Sequence, residues 1–164
     1  MAAVTAESAA TSGSRADSTR ADSTHAGNAQ PGPVPATTPF ALIGGVAPVR
    51  RIVDCFYDLM DTDAAYAELR AMHAPDLAPM RDSLTGFLTA WLGGPRTWFE
   101  RRAFEQKQGC IMSIHSPLAI GEQVAAQWSA AMTQAIRDAQ LPNAELAEAM
   151  AGALARMAGG MARR

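Results

Sequence analysis

Apolar side chains recur every three or four residues in several stretches of this chain, and that spacing constrains its fold more than any other feature. Such a period places the side chains on one face of an α-helix, where they can pack against a core. No stretch alternates with the two-residue period of a strand, so the pattern predicts an all-α domain. The stripes are Val49, Ile52, Val53, Phe56, Leu59 and Met60; Leu77, Met80, Leu84, Phe87, Leu88 and Trp91; Ile120, Val124, Trp128, Met132 and Ile136; and Leu146, Met150, Leu154 and Met157.

Proline, glycine and capping residues predict where these helices begin and end. Pro48 suits the first turn of a helix, where its missing N–H costs nothing. Asp76 is predicted as the N-cap of the second helix, which Gly93-Gly94-Pro95 should end. Pro142 stops the third helix, and Asn143 is predicted to cap the fourth.

Two connecting stretches have weaker patterns. Residues 63–71 predict a short helix that ends before His73-Ala74-Pro75, because the residue preceding a proline is pushed out of helical geometry. Residues 96–110 are charged and poorly periodic, and they predict a loop with a turn or two of helix.

The N-terminal segment has a different composition from the rest. No Leu, Ile, Phe, Tyr or Trp precedes Phe40, and Ala, Ser, Thr, Gly and Pro dominate. Such a segment cannot bury enough apolar area to offset its chain entropy. We therefore predict that residues 1–38 form a disordered low-complexity extension and that residues 39–164 form the folded domain.

Charge and cysteine content exclude several classes of protein. A formal net charge of −2 at pH 7 gives no basic face for nucleic acid or for an anionic membrane. No apolar run reaches the length of a membrane span, and the N-terminus lacks the apolar stretch of a secretory signal. Cys55 and Cys110 are predicted to be reduced thiols. These features predict a cytoplasmic protein without nucleic-acid or membrane partners. We further expect a monomer or weak homodimer.

His115 carries the most chemical information among the folded residues. It precedes Ser116-Pro117, so the chain turns directly after it and can present the imidazole ring sideways. An imidazole on one side of an apolar pocket, with the Trp128 indole and the Tyr57 phenol on the other, suits a ligand bound to iron.

The order and spacing of several motifs resemble the group II truncated haemoglobins. The resemblance extends from about Phe40 to Arg164 and implies a two-over-two globin fold around haem b and its iron. The family has glycine pairs at two corners between helices, which Gly44-Gly45 and Gly93-Gly94 match. The motifs are Phe56-Tyr57, Met72-His73-Ala74-Pro75, Leu84-Thr85-Gly86-Phe87-Leu88, Trp91-Leu92-Gly93-Gly94-Pro95-Arg96-Thr97, His115-Ser116-Pro117 and Trp128.

The resemblance also implies roles for individual residues. His115 matches the iron ligand on the proximal side of the haem. On the distal side, Tyr57, His73 and Trp128 would donate hydrogen bonds to a bound ligand. The remaining cofactor contacts implied by the family are apolar: Phe56, Met80, Leu84, Phe87 and Leu88.

The chain departs from the family around the haem propionates. Residues 106–113 contain no arginine, where the family supplies one to a propionate. Leu118 stands where phenylalanine is usual, and Trp98 where tyrosine is usual. Any nearby cation can pair with a carboxylate, so Lys107, Arg96 and Arg81 are candidate partners.

Three functions follow from the resemblance as expectations. The first is reversible binding of a diatomic ligand (O₂, CO or NO) at a histidine-ligated iron. The second is a redox enzyme, peroxidase-like or nitric-oxide-consuming, with an electron-donor reductase as a candidate partner. The third is a haem-free globin that serves as an interaction module.

Overall fold

The computed structural model of the chain describes residue 35, residues 37–106 and residues 115–162. The chain is helical and forms no strand within these residues, so the prediction of an all-α domain is confirmed. The predictions for residues 1–34 and for Cys110 lie outside them. The helices are α1 (Pro39–Leu42), α2 (Val46–Thr62), α3 (Ala67–Ala71, after a 3₁₀ turn at Ala64–Tyr66), α4 (Ala78–Trp91), α5 (Thr97–Gln106), α6 (Glu122–Asp138) and α7 (Ala144–Met161).

Two helix corners depend on glycine. Gly44, Gly45 and Gly93 have φ angles of 96°, 85° and 87°, in the left-handed region where a side chain is strained. A Cβ atom on Gly94 would lie 2.8 Å from the carbonyl oxygen of Thr89 and 2.9 Å from the Phe40 ring. The end of α4 therefore packs directly on α1, and both glycine pairs lie at the corners that the sequence indicated.

The helix starts are close to those predicted. Asn143 caps α7, with its side-chain oxygen 2.9 Å from the N–H of Leu146. The N-cap of α4 is Leu77 rather than Asp76. The Asp76 carboxylate nevertheless accepts a hydrogen bond of 2.9 Å from Ala78, the first residue of the helix.

The stretch after the second glycine pair differs from its prediction. Residues 97–106 form one continuous helix, α5, rather than a loop with a turn or two of helix. The reason is tertiary packing: the buried Trp98 ring lies 5.3 Å from the Phe87 ring of α4 and 5.0 Å from the Phe99 ring. This packing stabilises a helix whose charged sequence shows little periodicity of its own.

The larger helices pack as two pairs, α2 with α4 and α6 with α7, and the pairs meet where α2 lies against α6. Arg81 of α4 ties the first of these pairs together through ion pairs with Asp54 (3.2 Å) and Asp58 (2.7 Å) of α2. None of the described helices is long and apolar enough to cross a membrane. The largest fully buried side chains are Ile43, Val49, Ile52, Val53, Phe56, Met60, Leu88, Met132, Ile136 and Leu154.

Candidate functional site

A cavity of about 330 Å³ lies among the helices, within the range of about 300–1,000 Å³ typical of ligand sites. Every element from α2 to α7 contributes to its wall, together with residues 115–120. Most of the lining side chains are apolar, and a few polar groups converge on the space. That combination is typical of a site for a largely apolar ligand with polar ends.

The cavity collects most, but not all, of the residues predicted for it. Arg81, Phe56 and Leu88 do not line it, and Lys107 lies outside the described residues. Those brought together are Tyr57, His73, Met80, Leu84, Phe87, His115 and Trp128.

Phe56 lies behind the cavity wall. Its side chain is fully buried, with its ring centroid 4.9 Å from that of Tyr57 and 5.5 Å from that of Trp128. Leu88 is fully buried in the same core. Both residues therefore belong to the core and are not among the residues that line the cavity.

Tyr57 presents a buried phenol to the cavity. Burial raises the pKa of Tyr57 to about 12, and the nearby Arg81 charge opposes this rise only in part. The Arg81 guanidinium lies 5.5 Å from the centre of the Tyr57 ring. Tyr57 is therefore a neutral hydrogen-bond donor at pH 7, in a place where water is largely excluded.

Arg81 does not reach the cavity. Its guanidinium binds Asp58 at 2.7 Å, and Asp54 through both its carboxylate (3.2 Å) and its backbone carbonyl (2.9 Å). These bonds occupy it on the α2 side of α4. Its expected pairing with a propionate finds no support in this placement.

His73 is held in one orientation by the backbone. Its Nδ1 atom lies 2.9 Å from the carbonyl oxygen of Leu69, which can only accept, so Nδ1 carries the proton of the neutral ring. Burial lowers the pKa of His73, and the charges of Arg70 and His115 lower it further, while the bond to Leu69 opposes these effects. The neutral form therefore has its lone pair on Nε2.

His115 lies on a different part of the wall, at the start of the described segment 115–162. It is half-buried, and its carbonyl oxygen accepts a hydrogen bond of 2.9 Å from Leu118. This tight turn covers Ser116 and Pro117, where the sequence predicted one. Both His115 and Leu118 line the cavity.

Trp98 and Ser83 form the wall between α4 and α5. The Trp98 indole donates to the Ser83 hydroxyl at 3.2 Å. A Cβ atom on Gly86 would lie 2.8 Å from the Trp98 ring, so only glycine permits this approach of α5 to α4. Trp98, noted in the sequence as a departure from tyrosine, thus seals one side of the cavity.

Arg102 is a cavity residue that the sequence analysis missed. It lies one helical turn after Trp98, with its guanidinium 5.3 Å from the centre of the Trp98 ring. It is the single Lys or Arg among the described residues that line the cavity. The spacing of four residues from Trp98 was the available signal, but α5 itself was not predicted.

Several further lining residues were also missed as cavity residues. Some had been assigned to the core stripe of α7, such as Leu154 and Met157. The missed residues are Leu69, Met72, Ala74, Ser83, Trp98, Arg102, Leu118, Ile120, Val124, Ala125, Leu154, Met157, Ala158 and Met161.

The donor set fits a haem better than a metal ion held by protein alone. The described residues contain no group of three or more His, Cys, Asp or Glu side chains placed to hold a metal ion. A cavity with apolar walls, two imidazoles and one arginine instead matches a flat apolar ring that brings most ligands of its own metal and carries carboxylates.

The comparisons with known proteins agree with this fold. The family model of bacterial-like globins matches residues 38–163. A group II 2-on-2 haemoglobin from Agrobacterium tumefaciens is 30% identical, covers 77% of this chain and 94% of its own, and gives a TM-score of 0.70. A cold-adapted truncated haemoglobin from Pseudoalteromonas haloplanktis is 28% identical, with coverages of 77% and 98% and a TM-score of 0.69. No curated protein matches the sequence.

This helical fold and the matches to known proteins together define a globin. The chain belongs to the bacterial-like globin family. A further similar structure, from Bacillus anthracis, is also a group II truncated haemoglobin (27% identity, coverages of 77% and 91%, TM-score 0.65). The resemblance inferred from the sequence motifs is thereby confirmed.

Proposed function

We propose that the chain binds haem b in this cavity, with His115 as the protein ligand to iron, and that it reversibly binds a diatomic ligand such as O₂, CO or NO. When bound, haem iron supplies the coordination site for such a ligand. One observation carries the proposal: His115, Tyr57, His73 and Trp128 come from distant parts of the chain and line the same apolar cavity.

His115 has the chemistry required of an iron ligand. A neutral imidazole binds iron through one ring nitrogen. His115 lines the cavity directly before a tight turn of the backbone. Phe87 and Trp98, on the neighbouring wall, would flank the cofactor with ring surfaces.

Tyr57 and Trp128 are the donors expected to hold a diatomic ligand. The raised pKa of Tyr57 (about 12) keeps its O–H in place at neutral pH, and an indole N–H is always a donor. A hydrogen bond in a site of low dielectric is stronger than one in water. Both residues should therefore slow ligand release.

His73 contributes differently from the sequence expectation. With Nδ1–H engaged by the Leu69 carbonyl, the neutral ring offers a lone pair at Nε2 and no second N–H. It can thus donate to a ligand in the cavity only when protonated, and burial disfavours that form. Two donors, rather than three, are expected at neutral pH.

Arg102 is the expected partner of a haem propionate. Arg102 lines the cavity, whereas Arg81 does not. The Trp98 ring below its guanidinium limits the positions that the arginine can adopt. A carboxylate at the cavity edge would gain a charge-assisted hydrogen bond there.

Titration of the purified full-length chain with haem tests the proposal. We expect an intense Soret band that saturates at one haem per chain, and reversible spectral changes when O₂ or CO is added and removed. His115→Ala should abolish stable uptake or force an alternative ligand with a changed spectrum, whereas His25→Ala, in the predicted extension, should behave as the wild type. Uptake and spectra unchanged in His115→Ala would refute the assigned ligand.

A peroxidase-like activity is the second candidate, and His73 is the observation that favours it. A neutral imidazole with a lone pair in the cavity can accept a proton from hydrogen peroxide. Turnover of peroxide with an organic reductant, lost in His73→Phe, would support this function. Absence of turnover in a protein that binds O₂ reversibly would leave ligand binding as the function.

A further inference from the structure

The loop that carries His73 is held in place by hydrogen bonds from the Arg70 side chain. Arg70 donates to the carbonyl oxygens of His73 (3.4 Å), Ala74 (3.0 Å) and Pro75 (3.1 Å). Its Nε atom also binds the Asp61 carboxylate at 2.8 Å. One guanidinium therefore fixes three consecutive carbonyls after α3, and the position of the His73 backbone follows from it.

The orientation of the His73 ring is fixed by a separate hydrogen bond. The Nδ1–H bond to Leu69 sets its rotation and leaves Nε2 on the opposite edge of the ring. Histidines that bind metals commonly donate the other ring N–H to a backbone carbonyl, which fixes the tautomer and raises the basicity of the ligating nitrogen. His73 has this arrangement before any metal binds.

The surroundings of His73 in the cavity include His115 and Tyr57. His73 lines the same cavity as His115. The Tyr57 ring meets it edge-on, with centroids 6.0 Å apart. Among the described residues, none forms a hydrogen bond with Nε2.

We propose that His73 would be a second, displaceable protein ligand of the haem iron, binding through Nε2. The proposal rests on the haem binding proposed above. Nε2 donates its lone pair when it binds and leaves as a neutral imidazole when an external ligand replaces it, so no proton or electron is transferred. An external ligand could then bind the iron only after His73 had dissociated.

The ferrous, ligand-free holoprotein gives the clearest test, because phenolate and hydroxide bind ferrous iron poorly. We expect the sharp, split visible bands of a low-spin bis-imidazole haem in the wild type. His73→Phe should convert them into the single broad band of a five-coordinate high-spin haem. Met72→Leu removes the thioether of the neighbouring cavity residue and should retain the low-spin bands.

Kinetics provide a second readout. After rapid mixing, the observed rate of CO binding to the wild type should reach a plateau as the CO concentration rises, since dissociation of His73 becomes limiting. In His73→Phe the rate should increase linearly with CO. Arg70→Met, which removes the hydrogen bonds of Arg70 to the loop but keeps the imidazole, should raise the plateau.

Each outcome has a distinct meaning. A wild type that takes up one haem but is five-coordinate would overturn the inference. Low-spin bands that persist in His73→Phe would also overturn it, because another side chain would then be the ligand. Failure to take up haem at all would refute the proposed function instead. Circular dichroism of each variant confirms that its helices are formed.

Discussion

Two regions of the cavity wall are built in opposite ways. The aromatic wall consists of Tyr57 of α2 and Trp128 of α6, which line the cavity, together with Phe56, which packs behind both of them. Phe56 is fully buried and Tyr57 is only 4% exposed. The open edge, formed by Arg102, His115 and Leu118, is accessible to solvent, and Leu118 is 43% exposed.

This difference separates stability from cofactor binding. The aromatic wall is part of the main core, so its side chains are constrained by packing whatever the cavity contains. The side chains of the open edge bury less area and contribute less to folding. We therefore expect substitutions in the aromatic wall to reduce stability, and substitutions at the open edge to act mainly on the cofactor.

The largest effect is expected for Phe56→Ala. It removes a fully buried ring that contacts both Tyr57 and Trp128, and such truncations cost about 3–5 kcal/mol. Leu118→Ala, at the open edge, is the matched control and should cost less than about 1 kcal/mol. Urea unfolding of both haem-free variants measures the difference. Equal losses would contradict the division between the two regions.

The next effect concerns ligand release. Tyr57→Phe and Trp128→Phe should each accelerate O₂ release about tenfold, for a loss of about 1.4 kcal/mol per hydrogen bond. The double variant should depart from additivity, because both donors share one acceptor. Stopped-flow O₂ release with a CO chase measures the rates. O₂ release rates that are unchanged by both substitutions would show that these residues do not donate to the ligand.

A smaller effect is expected for Arg102→Met at the open edge. Partly exposed ion pairs contribute about 0.2–1 kcal/mol, so haem transfer to an acceptor protein should accelerate by no more than about fivefold. Arg101→Met, the exposed neighbour on α5, removes the same charge outside the cavity lining and should leave the transfer rate unchanged. Similar acceleration in both would indicate a general effect of net charge.

The sequence predicted the aromatic wall more completely than the open edge. Tyr57 and Trp128 could be recognised because they lie beside or within strong apolar stripes. Arg102 could not, because residues 96–110 show no clear period and α5 forms through the packing of Trp98 on Phe87.

The predicted site residues of α4 and α2 that do not line the cavity are explained by helix geometry. Successive residues of a helix point about 100° apart, so neighbours face different surroundings. On α4 the cavity takes Met80, Ser83, Leu84 and Phe87, which share one face, whereas Arg81 and Leu88 point elsewhere. Two adjacent apolar residues, as in Phe56-Tyr57, look alike in sequence, and only the packed structure shows which one meets the cavity.

The smallest expected effect is on the pH dependence of stability, through the titration of His73. This residue belongs to neither the aromatic wall nor the open edge. Burial, with help from the Arg70 and His115 charges, lowers the pKa of His73 below its ordinary value. The unfolded chain, where histidine titrates near pH ~6.5, therefore binds more protons than the folded chain just below that pH. Stability should be complete above about pH 6.5 and should fall as the pH drops from there to the lowered folded pKa.

The effect should be specific to the half-buried His73 ring. The Tyr57 phenol facing it stays neutral throughout this range, since burial raises its pKa to about 12. Unfolding of the haem-free protein by urea, at about pH 7.5 and about pH 5.5, measures the loss without competition from iron. His73→Phe should lose less stability between the two pH values than the wild type, whereas His25→Phe should match the wild type. An identical pH dependence in all three would mean that His73 is as accessible to protons as a residue of the open edge.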